Sequence, residues 1–178
     1  MKAADCRLSR RTLVQLAGVA LLGFCFAHFE IQIEGSAGWA ANLPTWRIPR
    51  NWLLNIFWGD REMTGYHAWA LTSVALFFHW PVLFNGHWSW RIETRLIACI
   101  LLFWLAEDFC WFAFNPAYGL SRFDAAHVPW HHWAGPVPSN YLTNGAVALV
   151  LLSSQGCAAR AVMVMGNWAM WVRSRFLK

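Results

Sequence analysis

Four apolar stretches, 12–33, 66–85, 96–114 and 141–159, each approach the roughly 20 residues that cross about 30 Å of hydrocarbon as a helix. Nothing else constrains the chain so tightly, because a segment inside a bilayer must satisfy its own backbone N–H and C=O groups. Hydrophobic residues make up 58% of the 178 and charged residues 13%. Helices so poor in polar residues have no face to turn to water, which argues against a soluble bundle. The predicted fold is all-α, an integral membrane bundle of four transmembrane helices forming a single domain, 1–178. Loops 34–65 and 115–140 emerge at one end. The tail, 160–178, is too short to cross again and reads as an interfacial amphipathic helix, with Trp168 and Trp171 beside Arg173, Arg175 and Lys178.

Charge orients this bundle. The net charge is +5, but Lys2, Arg7, Arg10, Arg11, Arg91, Arg95, Arg160, Arg173, Arg175 and Lys178 all fall on one side of a four-crossing model. Only Arg47, Arg50, Arg61 and Arg122 fall on the other. The positive-inside rule then places both termini in the cytoplasm, in a bacterial inner membrane, and both long loops outside. With the basic residues accounted for in this way, no nucleic-acid partner is implied.

Ser9-Arg10-Arg11 followed by Thr12-Leu13 resembles a twin-arginine export motif. The apolar run continues past Phe26 without a small-x-small site, so the first segment is predicted to remain as an uncleaved helix. Cys25, Cys99 and Cys110 lie inside apolar stretches with no CxxC spacing, and read as inert thiols.

Polar groups inside these stretches carry the chemistry. Glu107 and Asp108 are adjacent within the third, Glu107 about 10 Å below the helix end at Phe114, flanked by Trp104 and Trp111. Ionisable groups at such depth cost a few kcal/mol each and need protons, cations, a metal or water. Glu30 and Glu34 share a face near the end of the first stretch, while His28 points about 160° away from Glu30. His67 stands at the outer boundary of the second stretch. His79 lies about 18 Å deeper, before Pro81, where it is expected to bond a carbonyl freed at a proline kink; His87 reads as a surface residue. The loop after the third stretch holds His127, His131 and His132 within six residues.

Laid side by side, the helices bring these groups to one level in the outer leaflet. Imidazoles and carboxylates are the donor set for iron, zinc, manganese or copper. The candidate metal ligands are His28, His67, Glu107, Asp108, His127, His131 and His132. Glu107, Asp108 and Glu30 are the candidate catalytic groups, and Glu34 is a weaker one.

His127-x3-His131-His132 resembles one histidine box of the membrane desaturases and hydroxylases, whose di-iron centres are surrounded by several such boxes. The resemblance covers six residues, Pro129 falls inside it, and His28, His67 and His79 supply no second HxxxH.

The function expected is therefore metal-dependent chemistry, oxidoreductase or hydroxylase rather than hydrolase, on a lipid-soluble substrate drawn from the membrane lipid. Three other readings stay open. A non-catalytic membrane subunit with a protein partner suits the fourteen tryptophans and the small size. A b-type haem would need His28 and His67 to face each other, and a proton relay would use Glu107 and Asp108. Each residue also has a plainer role. In that role the histidines sit in a wet interfacial loop anchored by Trp130 and Trp133, Glu107 or Asp108 pairs with Arg122, and the tryptophans of loop 34–65 only anchor a cap, including a short interfacial helix at 51–58.

Overall fold

The computed structural model describes residues 10–52, 54 and 61–153. Most of the interfacial helix expected at 51–58, and the whole tail 160–178, lie outside the described residues. What is described is mainly helical. Helix α1 spans Arg10–Glu34, α2 spans Gly65–Asn85, and α3 spans Trp90–Phe114. All three are long and apolar enough to cross a membrane. A further helix, α4, runs over 139–153.

Local chemistry sets the helix ends. The Thr64 side chain accepts the His67 N–H at 3.3 Å and starts α2. At its other end Gly86, with φ of 60°, donates its N–H to Val82 O at 3.0 Å. Helix α3 begins six residues before the apolar stretch that predicts it. Ser89 accepts the Ile92 N–H at 3.3 Å, and Glu93 sits in the first turn where the helix dipole favours an acid. The polar run after Ser89 is thus a capped first turn of helix rather than a loop.

Helix α1 packs most extensively on α3, and α2 rests on α3 over a smaller area. Close approach of α1 to α3 depends on Gly23, where an added Cβ would lie 2.9 Å from Phe103 O and 3.0 Å from Ala106 Cβ. One buried cluster, Val19, Val74, Cys99 and Phe103, fills the half away from the long loops. Another, Ala27, Ile31, Trp111, Phe112 and Val128, fills the half beneath them. Trp69, Phe77, Trp80 and Phe84 of α2 are exposed, as befits a helix facing lipid.

Polar ties close the end away from the long loops. Arg95 Nε donates to Gln15 Oε1 at 2.6 Å, and Gln15 Nε2 donates to Cys99 Sγ at 3.2 Å. His79 contacts Ala75 O at 2.7 Å through Nδ1 and Glu93 Oε1 at 3.1 Å through Nε2. The carbonyl it meets is its own i−4 partner rather than one released by Pro81, and the imidazole links α2 to α3. His87 is exposed.

At the other end two small β-ribbons shape the loops. Strand β1 (Arg47–Ile48) pairs antiparallel with β2 (Met63–Thr64), which leads directly into α2. Strand β3 (Trp133–Ala134) pairs with β4 (Val137–Pro138) through a turn at Gly135, φ 66°. Asn115, buried at the end of α3, donates from Nδ2 to Gly35 O at 2.9 Å and locks the ends of α1 and α3 together.

Candidate functional site

A cavity of about 1020 Å³ opens among the loop-bearing ends of the helices. Glu30 and Glu34 from α1, His67 from α2, Glu107 and Asp108 from α3, and His131 from the second loop all line it. Neighbours on a helix diverge by about 100°, so Glu107 and Asp108 serve different parts of the wall.

Glu107 is 5% exposed. Its carboxyl stands beside that of Glu30 on the chamber wall. Tyr66 donates its hydroxyl to Glu30 Oε1 at 2.8 Å. Glu107 Oε1 is buried and meets no hydrogen-bond partner among the described residues.

Asp108 belongs to a second group. Its Oδ2 accepts the Tyr141 hydroxyl at 2.5 Å. His131 Nε2 stands 3.4 Å from the same oxygen, buried and out of line for a hydrogen bond. Phe112 and Trp133 wall the imidazole at ring separations of 5.6 and 6.5 Å.

Glu34 holds the first loop in place. Its Oε1 accepts the Ala40 N–H at 2.6 Å and lies 4.0 Å from His67 Nε2. Trp39 and Ala40 have φ of 50° and 51°, a left-handed conformation that residues other than glycine rarely adopt. The buried carboxyl holding the Ala40 N–H is the restraint that keeps this turn. Gly38 stands against Trp111, with φ of 60° and room for no Cβ, since one would lie 2.9 Å from the indole. His67 Nδ1 contacts Thr64 Oγ1 at 2.6 Å, and its ring stacks on Trp39 at 4.3 Å.

Arg61 roofs the cavity. Its guanidinium carbon lies 3.9 Å from the Trp39 ring centre and 5.3 Å from that of Trp130, joining the first loop to the second. Burial pushes its pKa down to about 10, against the pull of Asp108 and Glu34, so it remains a cation at neutral pH.

The sequence-predicted residues divide three ways. Glu30, Glu34, His67, Glu107, Asp108 and His131 share the cavity. His132 stands at its rim, exposed, its carbonyl accepting the Ser139 N–H at 2.7 Å. The other two histidines lie elsewhere. His28 packs between Phe24 and Phe114, at 4.5 and 5.2 Å. His127 is exposed and contacts Asp124 Oδ1 at 2.9 Å through Nδ1, an interaction that draws the Asp124 carboxyl below its ordinary pKa. Among the described residues, no three His, Cys, Asp or Glu side chains are grouped closely enough to hold one metal ion. The donors share a chamber rather than a point.

Arg122, a candidate partner for the acids in the sequence, instead donates to Ala117 O at 2.9 Å. Arg61 stands by the acids in its place. Sequence reasoning missed Arg61, Tyr66 and Tyr141. Both tyrosines open an apolar stretch, where an interfacial anchor is the ordinary reading, and only the packing of α2 and α4 beside the acids reveals the second role. Compared with family models, curated proteins and solved structures, the chain gives no match.

Proposed function

We propose that this chain is an integral membrane enzyme acting on a lipid-soluble substrate at the carboxylate–histidine chamber in the outer leaflet. In this reading α4 continues beyond 153 as a fourth crossing, and the basic residues hold both termini in the cytoplasm of a bacterial cell. The observation that carries it is the burial of Glu107, with an unpartnered oxygen, in a chamber shared with three other carboxyls. Groups so costly to bury are kept where they act on something.

Acid–base chemistry fits the two groupings. Glu107, beside Glu30, serves as the acid. Asp108, oriented by Tyr141 and beside His131, serves as the base. Ala70, Leu71, Leu101 and Leu105 extend the chamber into apolar wall that suits a hydrocarbon chain. Ala70 also lines a second, apolar crevice of about 690 Å³ between α1 and α2, with Phe26, Phe29 and Trp69. That crevice offers a route in from the lipid.

Metal dependence is the second reading, favoured by two unpartnered buried donors, Glu107 Oε1 and His131 Nε2, on the wall of one chamber. Side-chain rotation of Asp108 or His67 would have to supply the further ligands to iron, zinc, manganese or copper. The bound metal would then polarise the substrate or activate water or an oxidant.

One experiment separates these readings from a non-catalytic subunit. Detergent-purified protein is incubated with a total lipid extract, products are followed by mass spectrometry, and bound metal is measured on the same sample. A lipid consumed by the wild type and untouched by Glu107→Gln supports the enzyme. Stoichiometric metal lost in both Glu107→Ala and His131→Ala selects the metal-dependent form. No conversion, from protein that purifies only within a larger assembly, sinks the proposal.

A further inference from the structure

We infer that the substrate class of this chamber is a lipid-soluble amine, its ammonium seated at Glu107 with its chain along the apolar wall of α2 and α3. The inference rests on the reading of the chamber as a substrate site and goes further by naming the headgroup.

Charge argues first. Glu30, Glu34, Glu107 and Asp108 line the chamber, whereas Arg50 and Arg61 are its only arginines among the described residues and no lysine lines it. Glu62, at the rim, is already paired with Arg47. The acids outnumber the fixed cations, so an anionic headgroup would enter against like charge in a region of low dielectric. A cationic one supplies what the wall lacks.

Hydrogen bonding argues next. Glu107 is 5% exposed, and its Oε1 has no partner among the described residues. An ammonium brings three N–H donors and no acceptor, whereas an alcohol brings one donor. Only the former satisfies Glu107 Oε1 while reaching a second carboxyl.

Aromatic faces complete the seat. Trp104, Trp111 and Tyr141 share the chamber with the acids, and such rings attract cations across their faces. Arg61 stacked on Trp39 at 3.9 Å shows that chemistry already operating at the roof. Below the acids, Leu71, Leu101 and Leu105 continue as hydrocarbon wall. The order from roof to floor is cation, acids with aromatics, then aliphatic side chains, which matches an amine on an apolar tail.

The test uses the full-length protein in maltoside micelles with three ligands of equal chain length: a primary alkylamine, the alcohol and the carboxylate. Native mass spectrometry counts the bound ligand. One equivalent of amine is expected to bind at least tenfold more tightly than either analogue. That preference should fall at least tenfold in Glu107→Gln and in Glu34→Gln, and survive in Glu93→Gln at the opposite end. In the wild type, the amine should also slow labelling of Glu107 by a hydrophobic carbodiimide, which keeps the test decisive if a variant fails to fold. Alcohol binding as tight as amine binding, and lost in the same variants, overturns the amine class while leaving a lipid-soluble substrate in place. Amine binding indifferent to both variants, without protection of Glu107, overturns the seat. Failure of all three ligands to saturate overturns both this inference and the reading beneath it.

Discussion

Tyr66, in the first turn of α2, donates its hydroxyl to Glu30 Oε1 of α1 at 2.8 Å, across 36 positions of sequence. Helix α2 has little direct packing on α1, so this bond is a principal tie between them at the level of the chamber. Tyr66→Phe keeps the ring and removes the donor. The expected cost is about 1–2 kcal/mol, read as a lower melting temperature in detergent. Turnover should fall as well, because Glu30 loses the group that orients it toward Glu107. A variant with wild-type melting and turnover would show that the bond contributes nothing.

Gly23 makes a sharper structural prediction. A methyl there would meet Phe103 O at 2.9 Å and Ala106 Cβ at 3.0 Å, and backbone carbonyls do not yield as side chains do. Gly23→Ala should force α1 from α3 and destabilise the protein by about 1–3 kcal/mol, the usual range for overpacking. Gly18→Ala, in the same helix with nothing within 4 Å of the added carbon, should be neutral or slightly stabilising. Comparing the two melting curves isolates the helix contact from helix propensity.

Much of this was legible in the sequence because bilayer crossing leaves a signal that length and composition alone reveal. The three long helices fall on three of the apolar stretches, and α4 begins two residues before the fourth. The face shared by Glu30 and Glu34, and the divergence of His28 from it, follow from helical periodicity, and the structure agrees. Other features could not be read from one dimension. The start of α3 was hidden because Trp90 to Arg95 is polar by composition, and its helical state depends on the Ser89 cap. Arg61 and Arg122 look alike in sequence, and only the fold of the two loops brings the first over Trp39 and turns the second back on Ala117. Depth alone suggested that His127 belongs with His131, yet Asp124 three residues earlier holds it at the surface.

Removing Arg61 tests whether the two loops act as one roof. Its guanidinium lies between Trp39 of the first loop and Trp130 of the second, above the acids. Arg61→Met keeps much of the apolar stem and loses the cation–π attraction, worth about 0.5–2 kcal/mol depending on desolvation. Hydrogen exchange should accelerate around Trp39 to Arg47 and around Val128 to Trp133, with the helices unchanged. Uniform acceleration through α1 and α3 would instead mark a general loss of stability.

Among the histidines, substitution should separate chemistry from packing. His131→Asn replaces a chamber imidazole 3.4 Å from Asp108 and should lower turnover by about 10²-fold or more. His28→Phe places an aromatic ring between Phe24 and Phe114 and should leave turnover within about twofold, since His28 lines neither large cavity. Equal losses at both positions would mean that the chamber is not where the reaction occurs.

Glu107 offers the most demanding comparison, because its two roles predict opposite effects on stability. A buried carboxyl kept only to hold the helices together should cost stability when replaced, as any well-bonded polar group does. Glu107 instead faces the acid of Glu30 and presents Oε1 to no partner among the described residues, so its burial is a cost to the fold. Glu107→Gln keeps the shape, removes the charge and supplies an amide donor to Glu30. The expected result is a melting temperature equal to or above the wild type, together with loss of at least about 10²-fold in turnover. That pairing is the signature of a group retained for function against the interest of stability. A Gln variant that melts several degrees lower and keeps its activity would make Glu107 a structural strut, and the chamber would lose its claim to chemistry.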